Sequence, residues 1–295
     1  MAIFGEVLTA MVTPFSSDGS VDLTATGKLA RHLVEHGSDG ILVLGTTGES
    51  PTLTLDEKLA VLEKVLETVG GEVPVVAGTG SYSTAASIDL SCQAEEVGVD
   101  GIMLVTPYYN KPPQQGLYLH FKAVADSVSL PVMIYNVPGR TARNIEPETI
   151  AKLAMVDNIV AVKEASGSMD QVTAIRALTP PDFCIYSGDD SMTLPILSVG
   201  GCGIVSVASH LVGDRIKEMI RAYKEGRVQE AAELNKRLYP VFKAIFITTN
   251  PIPVKTALNM QGVGVGPLRS PLCELQNKER EKLQAVLNEC DVPSY

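Results

Sequence analysis

Positive charge is scarce in this chain. Its 24 Lys and Arg are outnumbered by 34 Asp and Glu, a formal net charge of −10. That balance excludes a broad nucleic-acid or anionic-membrane footprint, although a single cation can still act inside a pocket. Cysteine is sparse too: Cys92, Cys184, Cys202, Cys273 and Cys290 are odd in number, far apart and form no C-x-x-C. Neither a disulfide framework nor a zinc site is expected, and a reducing cytoplasm is the expected setting. No apolar run approaches the roughly 20 residues needed to span a bilayer. No basic start followed by an apolar run and a small-residue cleavage site opens the chain, so no signal peptide is expected. Low-complexity tracts and long linkers are missing as well.

What is present is alternation. Short apolar runs lie at 7–12, 39–44, 74–78, 101–106, 131–136, 158–163, 183–187 and 203–207. Each is too short for a helix and mostly apolar on both faces, as parallel strands buried on both sides should be. Helical spacing fills the gaps: 22–36 with Asp22 as a cap, 56–69, 84–97, 114–128, 147–155, 168–178, 190–199 and 213–225. In 56–69 the apolar residues Leu59, Leu62, Val65 or Leu66, and Val69 recur on one face. Gly37, Gly70, Gly98 and Gly226 stand where helices should stop. Eight strand–helix units predict a (β/α)8 TIM barrel over 1–226. A doubly wound sheet is the runner-up, but TPFSSDGS after the first strand is not the Gly-rich turn that fold advertises. After 226 the strand signals stop; 227–248, 252–261 and 276–289 predict a small three-helix C-terminal appendage over 227–295.

In such a barrel the reacting groups sit at the carboxyl ends of the strands. Those ends read GTTGES, TPYYNKPP, YNVPGRT, KEASG and SGDD, so hydroxyls, phenols, one guanidinium and one ammonium converge on one mouth. Lys163 falls at the end of the sixth strand, sharing a face with Ala161 and Ile159 by simple alternation. A poorly solvated lysine there has a lowered pKa, and its neutral amine can form a Schiff base with a carbonyl. The competing reading is a lysine reaching solvent or pairing with Glu164. Tyr135 suits a proton relay or a satisfied core hydroxyl. Arg140 suits a bidentate carboxylate contact or an exposed loop. Thr46 and Thr47 suit an anion-holding turn or helix capping. Tyr108-Tyr109, in a loop stiffened by Pro107, Pro112 and Pro113, suggests an aromatic reaching into a second subunit.

The four motifs GTTGES, TPYYNKP, YNVPGRT and VKEASG stand in an order and spacing that resemble the dihydrodipicolinate synthase family, over nearly the whole chain. That family belongs to the class I aldolases related to N-acetylneuraminate lyase. The resemblance implies that Lys163 is the Schiff-base lysine that takes pyruvate, with Tyr135 as its proton relay. It implies that Thr47 and Tyr109 complete a hydroxyl triad, Tyr109 coming from a neighbouring subunit with Tyr108 packed at the same interface. It further implies that Thr46 and Thr47 hold the pyruvate carboxylate, and that Arg140 holds L-aspartate 4-semialdehyde. Gly188 and Val205 would line the site, Val205 where isoleucine is common. A cytoplasmic homotetramer of two dimers is implied, serving diaminopimelate and lysine biosynthesis without metal or organic cofactor. Lysine-inhibited members carry an imidazole or indole after the GTTGES turn and an asparagine after the third strand. Leu55, Lys58 and Tyr82 stand there instead, which implies weak or absent lysine feedback. Sister lyases acting on N-acetylneuraminate or 2-keto-3-deoxy sugar acids, and a silent binding barrel, are the alternatives; Thr47 with Tyr109 and the GRT turn favour the synthase.

Other patterns compete weakly. HLVEH at 32–36 fits an inverted zinc-protease motif, yet it lies at the wrong end of the barrel with no third ligand in view. GVGVG at 262–266 sits between late helices, and Gly200, Gly201 and Gly203 precede a strand, so neither is a phosphate-binding turn. Asp189-Asp190 reads as helix capping rather than a Mg²⁺ site.

Overall fold

The computed structural model describes residues 2–293. Strands and helices alternate as β1 (Val7–Ala10), α1 (Leu23–Glu35), β2 (Gly40–Val43), α2 (Leu55–Val69), β3 (Val75–Gly78), α3 (Thr84–Val97), β4 (Gly101–Val105) and α4 (Gln114–Ala125). The chain continues through β5 (Val132–Asn136), α5 (Pro138–Thr141), α6 (Pro147–Leu153), β6 (Ile159–Glu164), α7 (Met169–Leu178), β7 (Cys184–Ser187), α8 (Thr193–Ser198), β8 (Gly203–Ser206) and α9 (Ser209–Lys224). The strands are parallel, follow chain order and close with β8 on β1. This is the expected (β/α)8 barrel. The helices α10 (Val228–Ala244), α11 (Ile252–Met260) and α12 (Asn277–Glu289) follow it.

The pleat explains why both strand faces are apolar. Leu8, Leu42, Val76, Met103, Met133 and Val205 fill the barrel interior. Val7, Ile41, Val75, Ile102, Ile134 and Ile204 face outward under the helices. Helix ends follow local chemistry. Asp22 accepts from the Ala25 amide and starts α1. Thr54 and Glu57 cap α2 reciprocally. Along α2, Val61, Leu62, Val65 and Val69 are buried, whereas Leu59 is only half-buried. Gly37 stops α1 at φ +97, and a Cβ there would meet the Asp214 amide nitrogen at 2.5 Å, so only glycine fits.

Several expectations shift. The alternation that put Ile159 on the Lys163 face breaks at an irregularity in the β5–β6 register, where Val132 pairs Ile159 but Met133 pairs Ala161. Ile159 packs outward, while Ala161 stays inside. Strand β6 runs one residue past Lys163, to Glu164. The helix expected from 213 begins at Ser209, with a kink at Val212 (φ −140) separating its first turn. Helix α10 stops at Ala244 rather than 248, before a stretch that carries Pro251 and Pro253.

Candidate active site

Lys163 sits near the carboxyl end of β6, directly opposite Tyr135 of β5 in the strand register. Its side chain is buried, at 6 % exposure, and its Nζ lies 4.1 Å from the centre of the Tyr135 ring. Burial pushes the Lys163 amine down to about 7; the buried Asp190 carboxyl opposes this and the Arg140 charge assists it. A large share of the amine is therefore neutral at neutral pH. Burial pushes the Tyr135 phenol up to about 12, so it stays protonated and can donate.

The pairing of Lys163 with Glu164 does not occur. Glu164 is buried on the other face of β6, where it accepts hydrogen bonds from Asn136 Nδ2 (3.0 Å), Gln171 Nε2 (3.0 Å) and the Ser166 amide (2.6 Å). Gly188, after β7, explains itself by proximity. A Cβ there would stand 2.8 Å from Ala165 Cβ and 3.1 Å from Lys163 Cγ, so any larger residue would crowd the lysine. Val205 on β8 is fully buried inside the barrel.

The turn after β2 bends through Leu44 (φ +61) and Glu49 (φ +52). Thr47 is buried within it, and its Oγ1 accepts a 2.8 Å hydrogen bond from Asn250 Nδ2. Neither threonine caps α2, a role that Thr54 fills, so the capping reading of GTTGES fails. Thr46, Tyr135, Tyr108 and Arg140 line one cavity of about 570 Å³. Arg140 belongs to the single-turn helix α5 rather than an open turn, and its Nη2 donates to the Asn250 carbonyl at 3.3 Å. Tyr108 packs edge-on against Tyr82, with ring centres 5.3 Å apart. Tyr109 is the outlier. It is 92 % exposed at φ +71, and no hydrogen bond joins it to Thr47 or Tyr135 among the described residues. The cavity extends past the site to Leu55, Lys58 and Asp89 on α2 and α3. Burial lowers the Lys58 ammonium pKa.

Sequence reasoning missed Asn250, a polar residue just ahead of α11 that enters the site from beyond the barrel. It also missed the fastening of the β2 turn. Lys255 of α11 is buried, with its Nζ 2.9 Å from Glu49 Oε1, and also donates to the Thr13 and Pro267 carbonyls. The Arg269 amide donates to Glu49 Oε2. A signal existed: a lysine inside the apolar run IPVKTAL cannot be buried without a carboxylate. Asp189 caps the turn at Ser191, and the buried Asp190 accepts from Ser206 and from the Val207 and Ala208 amides. Among the described residues no group of three or more His, Cys, Asp or Glu could hold a metal. The HLVEH histidines lie at the end of α1, ring against ring at 4.3 Å, with His36 facing Asp214.

A closed barrel that buries a lysine amine of lowered pKa against a protonated phenol, beside an arginine at the mouth, has the groups of a Schiff-base-forming lyase of the class I aldolase type. Within that class, the chain belongs to the dihydrodipicolinate synthetase family, whose model matches residues 3–290. It is 59% identical over 289 residues to the 4-hydroxy-tetrahydrodipicolinate synthase of Desulforudis audaxviator, covering 98% of each chain. It is 60% identical over 284 residues to that of Heliobacterium modesticaldum, covering 96% of this chain and 95% of the relative. Among solved structures, the family enzyme from Cyanidioschyzon merolae with lysine bound superposes with a TM-score of 0.97 at 47% identity, covering 99% of both chains.

Proposed function

We propose that this chain is a 4-hydroxy-tetrahydrodipicolinate synthase, condensing pyruvate with L-aspartate 4-semialdehyde in diaminopimelate and lysine biosynthesis. The observation that carries the reading is Lys163, buried at the end of β6 and 4.1 Å from the Tyr135 ring. Its neutral amine attacks C2 of pyruvate, and the carbonyl oxygen leaves as water to give an iminium. The positive nitrogen draws electrons from the methyl group. Loss of a C3 proton gives an enamine, which forms a carbon–carbon bond with the aldehyde carbon of the semialdehyde. The semialdehyde amine then attacks C2, closes the ring and releases Lys163.

Each step moves a proton, which suits a relay of hydroxyls better than a lone base. Tyr135, whose ring lies 4.1 Å from the Lys163 Nζ and whose raised pKa keeps it protonated, serves as the donor to the imine. The Thr46–Thr47 turn takes the pyruvate carboxylate and Arg140 the carboxylate of the semialdehyde, while Gly188 and Val205 shape the pocket wall. Because the iminium itself is the electron sink, the chemistry asks for no metal or organic cofactor. Tyr109 is exposed in the single chain, and we assign it to the site of a neighbouring subunit in a homotetramer of two dimers, with Tyr108 at the same contact. We take residues 1–226 as the catalytic barrel and 227–295 as its helical appendage, in a cytoplasmic enzyme.

Incubation with pyruvate, reduction with borohydride and peptide mapping test the reading. A pyruvate-derived mass on Lys163 is expected, together with turnover of the semialdehyde. No adduct on Lys163 would sink the aldolase chemistry, and an adduct without turnover would move the chain to a sister lyase.

A further inference from the structure

Thr47 and Arg140 belong to different segments, the buried turn after β2 and the short helix α5 after β5. One residue from outside the barrel's strand–helix units touches both. Asn250 is buried; its side-chain Nδ2 donates to Thr47 Oγ1 at 2.8 Å, and its backbone carbonyl accepts from Arg140 Nη2 at 3.3 Å. Its position is firmly held. It stands two residues before α11, which the buried Lys255 ties to Glu49, itself two residues beyond Thr47.

We propose that Asn250 is a positioning residue that sets the direction of the Thr47 hydroxyl. A hydroxyl has one proton to give and lone pairs to accept with. Once Oγ1 accepts from the Asn250 amide, its own proton must point away from Asn250. Among the described residues no other group accepts that proton, so it is free for the substrate or the Tyr135 oxygen. The helical appendage thus completes the site chemically as well as mechanically. The inference rests on the reading of Thr47 as a relay member.

The test follows exchange of the pyruvate methyl protons with deuterium, a step that needs the Lys163 imine and the relay but no second substrate. Borohydride trapping of the imine runs in parallel. Asn250→Ala is expected to slow exchange and kcat about tenfold, the worth of one hydrogen bond of ordinary strength, with the adduct on Lys163 retained. Asn250→Asp has the same size and keeps the backbone carbonyl used by Arg140. As a carboxylate it can only accept, so it should capture the Thr47 proton and slow exchange at least as much; it carries the test should the alanine variant be unstable. Thr47→Val combined with Asn250→Ala should exchange no more slowly than Thr47→Val alone. Wild-type exchange in Asn250→Asp, or additive losses in the double variant, would overturn the inference while leaving the adduct in place. Absence of the adduct from the wild type would instead overturn the proposed function, and this inference with it.

Discussion

Lys163 is costly to the fold in proportion to its use in the chemistry. The unfolded chain binds its proton up to about pH 10.4, whereas the folded site releases it near 7. Between those values the unfolded state holds more protons, so this residue's contribution makes stability rise with pH; below about 7 the penalty is complete. Lys163→Met should therefore raise Tm while abolishing the pyruvate adduct, and the gain should be larger at pH 6 than at pH 9.5; equal gains would contradict a buried, depressed amine. The same titration predicts that imine formation falls about tenfold per pH unit below 7, measured by borohydride trapping at short times. A second residue carries strain without evident use. Ala142 closes α5 at φ +54, a region that costs a non-glycine residue about 1 kcal/mol or more. Ala142→Gly should offset part of that and raise Tm by roughly 2 °C. At this scale the sequence was most readable where chemistry and position coincide: Tyr135, Thr46 and Arg140 line one cavity, and Lys163 lies buried against the Tyr135 ring. It was least readable for Asn250, because nothing local to residue 250 says which loop it will meet.

At the scale of elements, period and punctuation were enough for the barrel. Eight apolar runs became eight strands because burial on both faces leaves no other home for them, and Asp22 and Gly37 bound the first helix by chemistry visible in the chain. The misplaced details share a cause. The turnover of Ile159, the kink at Val212 and the early end of α10 are set by packing between distant segments, which periodicity along one segment does not report. The fastening of the β2 turn to α11 is a further case, and a testable one. Glu49 and Lys255 are each about 1 % exposed in their side chains, so removing one partner strands the other charge. Lys255→Met should cost about 3–5 kcal/mol in urea unfolding, and adding Glu49→Gln should recover a good part of that loss. A single variant within about 0.5 kcal/mol of the wild type would show that the pair is not a structural lock.

At the scale of the whole molecule, two properties follow from surfaces of the barrel mouth. The first is regulation. Leu55, Lys58 and Asp89 line the outer part of the cavity, where a cationic ligand would meet an aliphatic side chain and a lysine amine with one carboxylate beside them. Calorimetry should find weak or no L-lysine binding, unlike the Cyanidioschyzon merolae structure with lysine bound; tight binding would reverse the inference from these side chains. The second is assembly. Tyr109 is 92 % exposed on a backbone held at positive φ, a poor use of a large aromatic unless a second surface receives it. If the neighbour's site receives it, the Tyr109→Phe of one chain and the Lys163→Arg of its partner fall in the same site of a hybrid dimer. Each variant alone should be nearly inactive. Mixed and allowed to exchange subunits, half the dimers become hybrids. In every hybrid the chain that keeps Lys163 receives an intact Tyr109 from its partner. One of its two sites is whole, and activity should return to roughly a quarter of the wild-type level, tracking hybrid formation in native mass spectrometry. A tyrosine serving its own chain's site predicts no recovery at any mixing ratio, because every Lys163 would then still face a phenylalanine.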